Sequence, residues 1–198
     1  MYKEIKLRVT GVQPLLLSNI QTANPLNKWA KALKEVTSKK KKTDADTLEI
    51  IRLQFMSSWY QNREGQYVLP SDNLLKSFEM GAKEFKMGTK FIENAYIVED
   101  DLVLEFDGQG KTLDELYDGG ESKYVDTRLC GIGVGAQKAK VLATRALIDQ
   151  WGLVCTLKYD EDQLNLNDVM KAAEIGGLRK AVGTYRKKFG RYRVEIVK

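Results

Sequence analysis

The chain has 198 residues, the length of one domain with room for an insertion, and its 32 Lys and Arg against 27 Asp and Glu give a net charge of +5. It contains no histidine, which excludes triads with a histidine base, histidine-ligated zinc sites and histidine-based ribonuclease chemistry. Two cysteines are too few for a four-thiolate metal site, and no apolar run reaches the roughly 20 residues of a membrane span. We expect a soluble cytoplasmic protein with no cofactor, no metal and no membrane partner.

The first third of the chain predicts one strand and two helices. Residues 3–10 alternate polar and apolar side chains, which is typical of a half-buried strand. Apolar residues recur at helical spacing over 27–37, and a second helical pattern over 45–60 begins after Thr43, a residue type that caps helix N-termini well. Leu48 falls on the apolar stripe of this second helix.

The middle of the chain predicts further elements separated by turns. A short strand at 67–69 leads into a proline-opened helix, for which Ser71 or Asp72 is the expected cap. Residues 91–106 have the composition of strands joined by an acidic turn, and Thr112 is placed to cap a short helix.

The last third predicts a hairpin, a strand, a helix and a closing strand. Their expected positions are 125–129 with 140–143, then 151–159, 166–175 and 191–197. Gly176 and Gly177 are expected to cap the C-terminus of the helix. The pattern predicts an α+β single domain over 1–198 with helices mainly on one face of its sheet, a helical insertion at 24–62 and a basic β-hairpin at 123–145.

Charge is segregated along the chain. Residues 93–121 carry ten acids and one base, whereas 176–198 carry eight bases and one acid, and 123–145 carry five bases and one acid. Four lysines also follow one another at 39–42. Segregation of this kind marks an electrostatic footprint more often than a solvated surface, and basic segments suit the phosphates of a nucleic acid.

Basic and aromatic residues are interleaved in the tail. Tyr185 and Phe189 flank Arg186, Lys187 and Lys188, and glycines lie on both sides. Cations meet the phosphates of a single strand while its unpaired bases stack on rings, so this composition favours binding of single-stranded nucleic acid. In the alternative interpretation, the aromatic residues face the core and the basic residues are only exposed.

The hairpin is a second candidate. Its glycine-rich tip lacks the Gly-Lys-Ser/Thr ending of a nucleotide-binding loop, but the basic residues beside it suit a clasp on a nucleic-acid backbone. We predict no catalytic residue and no metal ligand. The predicted nucleic-acid-binding residues are Arg128, Lys138, Lys140, Arg145, Arg179, Lys180, Tyr185, Arg186, Lys187, Lys188 and Arg191.

Several stretches resemble a group of phage proteins. The sequence Val-Gly-Thr-Tyr-Arg-Lys-Lys-Phe-Gly-Arg-Tyr-Arg-Val at 182–194 resembles their C-terminal motif, which usually reads Gly-Leu-Gly-Asp-Trp-Arg-Pro, a basic residue, an aromatic residue and Gly-Arg-Phe. Asn-Pro-Leu-Asn-Lys-Trp-Ala-Lys at 24–31 and Leu-Pro-Ser-Asp-Asn-Leu-Leu-Lys at 69–76 resemble their early helical insertion and their proline-opened helix. Thr-Arg at 144–145, ahead of Trp151, resembles their Arg-Pro-x-Phe-x-x-Trp stretch.

The proline-opened helix and the glycine-rich turn also resemble the RAMP superfamily, the CRISPR-associated RNA-binding proteins. That resemblance implies a modified ferredoxin-like (RRM-like) antiparallel sheet with an inserted helical segment and a protruding β-hairpin. It also implies a protein that binds single-stranded nucleic acid and assembles as a homo-oligomer along the strand. The chain departs from the phage motif where Thr184 and Tyr185 replace Asp-Trp and Lys187 replaces the proline.

Three functions stay open at this point. The leading hypothesis is a non-catalytic, phage-encoded binder of single-stranded nucleic acid, with DNA preferred over RNA because phages need strand binders in replication and recombination. Its tail, hairpin and lysine run would line one basic groove. The alternative is a CRISPR effector backbone-like subunit, or an inhibitor, that binds guide RNA or the effector complex. A RAMP-like endoribonuclease is the third, with only Tyr185, Lys187 or Lys188 as bases.

Overall fold

The computed structural model of the chain describes residues 1–132 and 139–197. The chain divides into two compact units, each built from segments that are distant in sequence. The first unit comprises Met1–Leu16, Tyr60–Gly110 and Ile148–Lys198, and the second comprises Leu17–Trp59 and Lys111–Leu147. Among the described residues, no helix has the length and apolar character needed to cross a membrane.

Strands and helices are distributed over both units. The strands are β1 (Tyr2–Gly11), β2 (Leu15–Leu16), β3 (Val68–Pro70), β4 (Ala95–Ile97), β5 (Asp101–Val103), β6 (Val125–Ile132), β7 (Ala139–Ile148), β8 (Gly152–Asp160) and β9 (Tyr192–Ile196). The helices are α1 (Lys28–Thr37), α2 (Asp44–Ser58), α3 (Ser71–Lys83), α4 (Gly88–Asn94), α5 (Leu113–Tyr117) and α6 (Leu166–Ile175).

A four-stranded antiparallel sheet forms the centre of the first unit. Its strands lie in the order β4-β8-β1-β9, and each neighbouring pair is antiparallel. Along the chain, α3 precedes β4 and α6 lies between β8 and β9. The unit therefore follows a β-α-β-β-α-β sequence whose first strand lies between the third and the fourth. This confirms the α+β, ferredoxin-like sheet expected from the resemblance.

One face of this sheet is buried beneath helices. In β1, Leu7 and Val9 are fully buried while the charged residues beside them are exposed, which confirms the alternating pattern. Helices α3 and α6 approach closely because Gly81 has no side chain, and a Cβ there would lie 2.1 Å from a carbonyl oxygen of α6. The buried Tyr192 hydroxyl donates a 2.8 Å hydrogen bond to Ser77 Oγ, which ties β9 to α3.

The second unit is organised around α2, which packs against α1 and α5. Its N-terminus carries the predicted Thr43 cap, completed by a 2.9 Å hydrogen bond from the Thr43 amide to the Asp46 carboxylate. Together with the ion pair to Lys39, these hydrogen bonds lower the pKa of Asp46 to about 2. Burial is concentrated in the C-terminal half of α2, so Phe55 is buried but Leu48, on the predicted stripe, is 61% exposed.

In the middle of the chain, one prediction is wrong and another is confirmed in part. Neither Ser71 nor Asp72 caps α3, because Pro70 occupies the cap position and the Ser71 amide instead donates to the Asp100 carbonyl at 2.9 Å. The prediction of strands joined by an acidic turn over 91–106 is confirmed by β4 and β5, which are separated by a segment containing Glu99 and Asp100, but residues 91–94 belong to α4. The short helix capped by a threonine is confirmed as α5.

The glycine pair after α6 does not form the predicted C-cap. Gly176 has right-handed helical angles, and the chain continues as a π-helical turn over Gly176–Lys180. A Cβ on Gly176 would lie 2.8 Å from the Ser77 carbonyl oxygen, and one on Gly177 would lie 2.3 Å from that of Tyr192. The glycines are needed because the end of the helix packs directly on α3 and β9.

Candidate nucleic-acid interface

The tail folds into an anchored loop between the π-helical turn and β9, and we call residues 181–191 the basic loop. Its two ends are joined by a 3.0 Å hydrogen bond from the Val182 amide to the Gly190 carbonyl. The Gly190 amide also donates to Pro14, at 2.8 Å, and the Thr184 amide donates to Leu16, at 2.9 Å. These backbone hydrogen bonds fix the loop to the segment that follows β1.

Two glycines of the basic loop are required by its geometry. Gly183 and Gly190 have φ values of 71° and 75°, in the left-handed region that favours glycine. A Cβ on Gly190 would lie 2.0 Å from the Val182 carbonyl oxygen, and one on Gly183 would lie 2.5 Å from the Leu16 carbonyl oxygen. These two glycines are therefore required because the loop backbone passes close to other backbone segments of the protein.

The basic loop presents one aromatic ring and several cations to solvent. Tyr185 is 56% exposed and has a left-handed φ of 52°, and its ring centroid lies 6.1 Å from that of the buried Phe189. Lys187 and Lys188 are exposed, and Lys188 Nζ lies 5.6 Å from the Phe189 ring. Arg186 Nε donates to the Gly183 carbonyl at 3.0 Å. Phe189 thus anchors the loop, while Tyr185 and the lysines form its outer surface.

Three other predicted tail residues have structural partners. Arg179 and Lys180 both form ion pairs with Glu84, and the hydrogen bond from Lys180 is the main reason why the pKa of Glu84 is lowered. The Arg191 carbonyl accepts hydrogen bonds from the amides of Val12 and Gln13, which joins the end of the basic loop to the segment that follows β1. These side chains border the loop, but part of their charge is neutralised or half-buried.

The hairpin is confirmed as β6 and β7, and it engages two of its predicted cations internally. Arg128 donates from Nε to Asp126 at 2.6 Å, and Asp126 lies directly opposite Arg145 in the register of the two strands. Arg145 Nη1 lies 3.3 Å from the Cys130 sulfur. Because side chains two residues apart share a face of a strand, these four residues lie together on one face.

The remaining predicted hairpin residues do not add to that face. Lys140 pairs with Gly131 across the strands, which places its side chain on the opposite face, where it is exposed. Lys138 lies outside the described residues. The hairpin and the lysines at 39–42 belong to the second unit, whereas the tail belongs to the first. The common basic groove stays a prediction.

The sequence interpretation did not single out the face of the sheet opposite the helices. Tyr2 and Tyr96 are both exposed there, with ring centroids 6.3 Å apart. Arg8 Nη1 lies 2.5 Å from a Glu105 carboxylate oxygen. Lys158 Nζ lies 3.0 Å from a Glu4 carboxylate oxygen. The period-two alternation of β1 predicts that one face of the sheet is exposed, so this face could have been identified from the sequence. Its paired charges make it a weaker anion site than the basic loop.

Over residues 1–132 and 139–197, no group of three or more Cys, Asp or Glu side chains is arranged to hold a metal ion. The buried Cys155 is a core residue, and burial raises the pKa of its thiol to about 12.

Comparisons with known proteins identify the fold. No family model matches the chain, and no curated protein matches its sequence. A chain of the type III-B Cmr-beta complex, solved by cryo-EM bound to cognate target RNA, is similar over the whole of this chain, with a TM-score of 0.55 and 11% identity. This chain spans 61% of the length of that one. The crystal structure of Cmr6 from Pyrococcus furiosus gives a TM-score of 0.38 and 10% identity, with 98% of each chain covered.

The similarity to Cmr-beta bears out the RAMP-like resemblance at the level of the fold. The chain therefore shares the α+β fold of that Cmr-beta chain, and the strand order of its sheet independently shows a ferredoxin-like arrangement.

Proposed function

We propose that this protein binds single-stranded nucleic acid, without catalysing a reaction on it, through the basic loop. The observation that carries the proposal is the exposed Tyr185 ring held beside Lys187 and Lys188 on a loop whose backbone is fixed at both ends. Unpaired bases stack on such a ring, and the lysines meet the phosphates between them.

The anchoring of the loop supports this proposal energetically. A contact surface that is already ordered loses less conformational entropy on binding than a flexible one. The hydrogen bonds of Gly190 and Thr184 and the buried Phe189 supply that order before any ligand arrives. Release of counterions from the phosphates adds a favourable contribution that decreases with added salt.

The choice of RNA as ligand rests on the fold comparison. The Cmr-beta complex that contains the chain of similar fold was solved bound to cognate target RNA, and we carry that ligand class to this chain as part of the proposal. The preference for DNA that the phage resemblance predicted has no support in the fold. A role as a subunit within a CRISPR-type assembly is the second candidate function, and it is favoured by the same similarity.

The test compares loop variants for binding to a labelled 20-nucleotide RNA, the DNA of the same sequence and the RNA duplex. Lys187→Gln/Lys188→Gln leaves the Arg186 hydrogen bond intact, and the triple variant adds Arg186→Ala. We expect both variants to bind single strands more weakly. The slope of log affinity against log salt should fall by about 0.7 for each phosphate that the variant no longer neutralises.

A matched control removes three charges elsewhere on the same unit. Lys83, Lys90 and Lys171 are exposed residues of α3, α4 and α6, and their replacement by Gln lowers the net charge as much as the triple loop variant does. We expect this variant to keep the wild-type salt slope. Equally weakened binding in the control and the loop variants, or no wild-type binding at about 50 mM salt, would refute the proposal, as would cleavage of the RNA during the assay.

A further inference from the structure

Helix α1 and the loop after it carry a dense basic surface. Residues 28–42 contain seven lysines and a single acid, Glu35, and all seven lysines are exposed. We define the lysine face by these residues: Lys28, Lys31 and Lys34 on α1, and Lys39, Lys40, Lys41 and Lys42 in the loop. The net charge of +6 over this segment exceeds that of the whole chain.

The spacing of the lysines places those of α1 on one side of the helix. Residues three apart in a helix are neighbours on its surface, so Lys28, Lys31 and Lys34 form a row about 9 Å long. Trp29 and Leu33 fall on the other side and are half-buried, and α1 packs against α2. The apolar side is thus used within the unit, and the lysine side is left to solvent.

Most of the lysine face has no internal counter-charge. Lys31, Lys34, Lys40 and Lys41 make no ion pair with any residue of the described ranges. Lys39 is the exception, because it pairs with Asp46 at the start of α2. Like charges at this density repel one another, so an external polyanion is favoured beside them.

We infer that the lysine face binds the sugar–phosphate backbone of nucleic acid, whether single-stranded or duplex. A duplex length of about 9 Å carries roughly five phosphate charges, which suits the row on α1. The lysine ammonium is a compact point charge that suits phosphate oxygens, and Lys28 Nζ lies 4.7 Å above the half-buried Trp29 ring, which limits stacking there. A membrane-surface helix would insert its apolar side, but here that side packs against α2.

This inference rests on the proposed function only in taking nucleic acid as the ligand class. Its test uses a duplex, whereas the proposed function is tested with single strands. We would measure binding of a 20-base-pair duplex by the full chain across a salt series. The test variant is Lys28→Gln/Lys31→Gln/Lys34→Gln, in which glutamine keeps a helix propensity close to that of lysine. If each lysine meets one phosphate, the salt slope should fall by about 2.7, at about 0.9 per phosphate, and Tm should not fall, because the substitutions also relieve repulsion among the lysines.

The control is again Lys83→Gln/Lys90→Gln/Lys171→Gln, which should keep the wild-type slope. An unchanged slope in the α1 variant would overturn the inference, and so would an effect confined to binding of vesicles that contain anionic lipid. The two proposals fail separately: weaker single-strand binding by the Lys187/Lys188 variant supports the basic loop whatever the α1 variant does. Weaker duplex binding in the α1 variant alone supports the lysine face.

Discussion

The basic loop and the lysine face are both cationic, but their surroundings give them different chemistry. In the basic loop, Lys187 and Lys188 lie beside the exposed Tyr185 on a backbone fixed by hydrogen bonds. In the lysine face, seven lysines line an exposed helix side and a loop, and the nearby Trp29 is half-buried. Charge alone attracts phosphate in either place, whereas a ring held among cations can also distinguish an unpaired base.

The largest effect on this comparison is expected from Gly190→Ala. The added Cβ would lie 2.0 Å from the Val182 carbonyl oxygen at a φ of 75°, so the two ends of the basic loop must separate. We expect single-strand affinity to fall by about tenfold or more, with duplex binding by the lysine face retained, as measured by fluorescence anisotropy.

Gly110→Ala is the matched control for that substitution. Gly110 also has a positive φ, of 88°, but no atom lies within 4 Å of its ideal Cβ position. This variant should lose roughly 1 kcal/mol of stability from backbone strain and keep wild-type affinity. Similar affinities for Gly190→Ala and Gly110→Ala would show that the shape of the basic loop does not matter for binding.

A smaller effect should separate stacking from charge. Tyr185→Ala removes the ring without changing charge, and stacking of one base is worth about 1–3 kcal/mol. Single-strand affinity should therefore fall about 5-fold to 150-fold, while Tyr185→Phe keeps most of it. If Tyr185→Ala weakens duplex and single-strand binding equally in the same titration, the distinction between the two regions is invalid.

The smallest effect is expected from loss of the Glu84 carboxylate at the border of the basic loop, and this effect on stability should depend on pH. Because the pKa of Glu84 is lowered by Lys180 and Arg179, its ion pairs stabilise the fold above the ordinary value of 4.5 and stop doing so as the pH falls through the lowered value. Glu84→Gln should have a slightly lower Tm at pH 7, and the difference should vanish in acid. A difference that persists below the lowered pKa would exclude the ion pairs as its cause.

The same substitution releases two cations at the edge of the basic loop. With Glu84 neutral, Arg179 and Lys180 lose their counter-charge, so single-strand affinity at low salt should rise slightly. Unchanged or weaker binding by Glu84→Gln would place both residues outside the contact surface.

Local signals made much of the fold predictable. The alternation in β1, the caps at Thr43 and Thr112, and the closing strand are set by neighbouring residues, and all are found in the structure. The role of Gly176 and Gly177 could not be predicted from neighbouring residues. Glycine is required there because the backbone contacts Ser77 and Tyr192, which are distant in sequence.

In the cationic regions too, some features follow from the local sequence and others depend on contacts between distant segments. The interleaved composition around Tyr185 is visible in the sequence, and so is the row of lysines at 28, 31 and 34, although the sequence interpretation did not single it out. The pairing of Arg179 and Lys180 with Glu84 depends on the packing of distant segments, and the face that carries Lys140 depends on the hairpin register. Neither follows from local pattern.

The most direct test of the central claim is photocrosslinking of the full chain to a single-stranded RNA that carries 4-thiouridine, with the linked peptide identified by mass spectrometry. The basic loop predicts crosslinks within 181–191, centred on Tyr185, that disappear in Tyr185→Ala. Crosslinks confined to Tyr2 or Tyr96 would instead place the strand on the open face of the sheet and contradict the account.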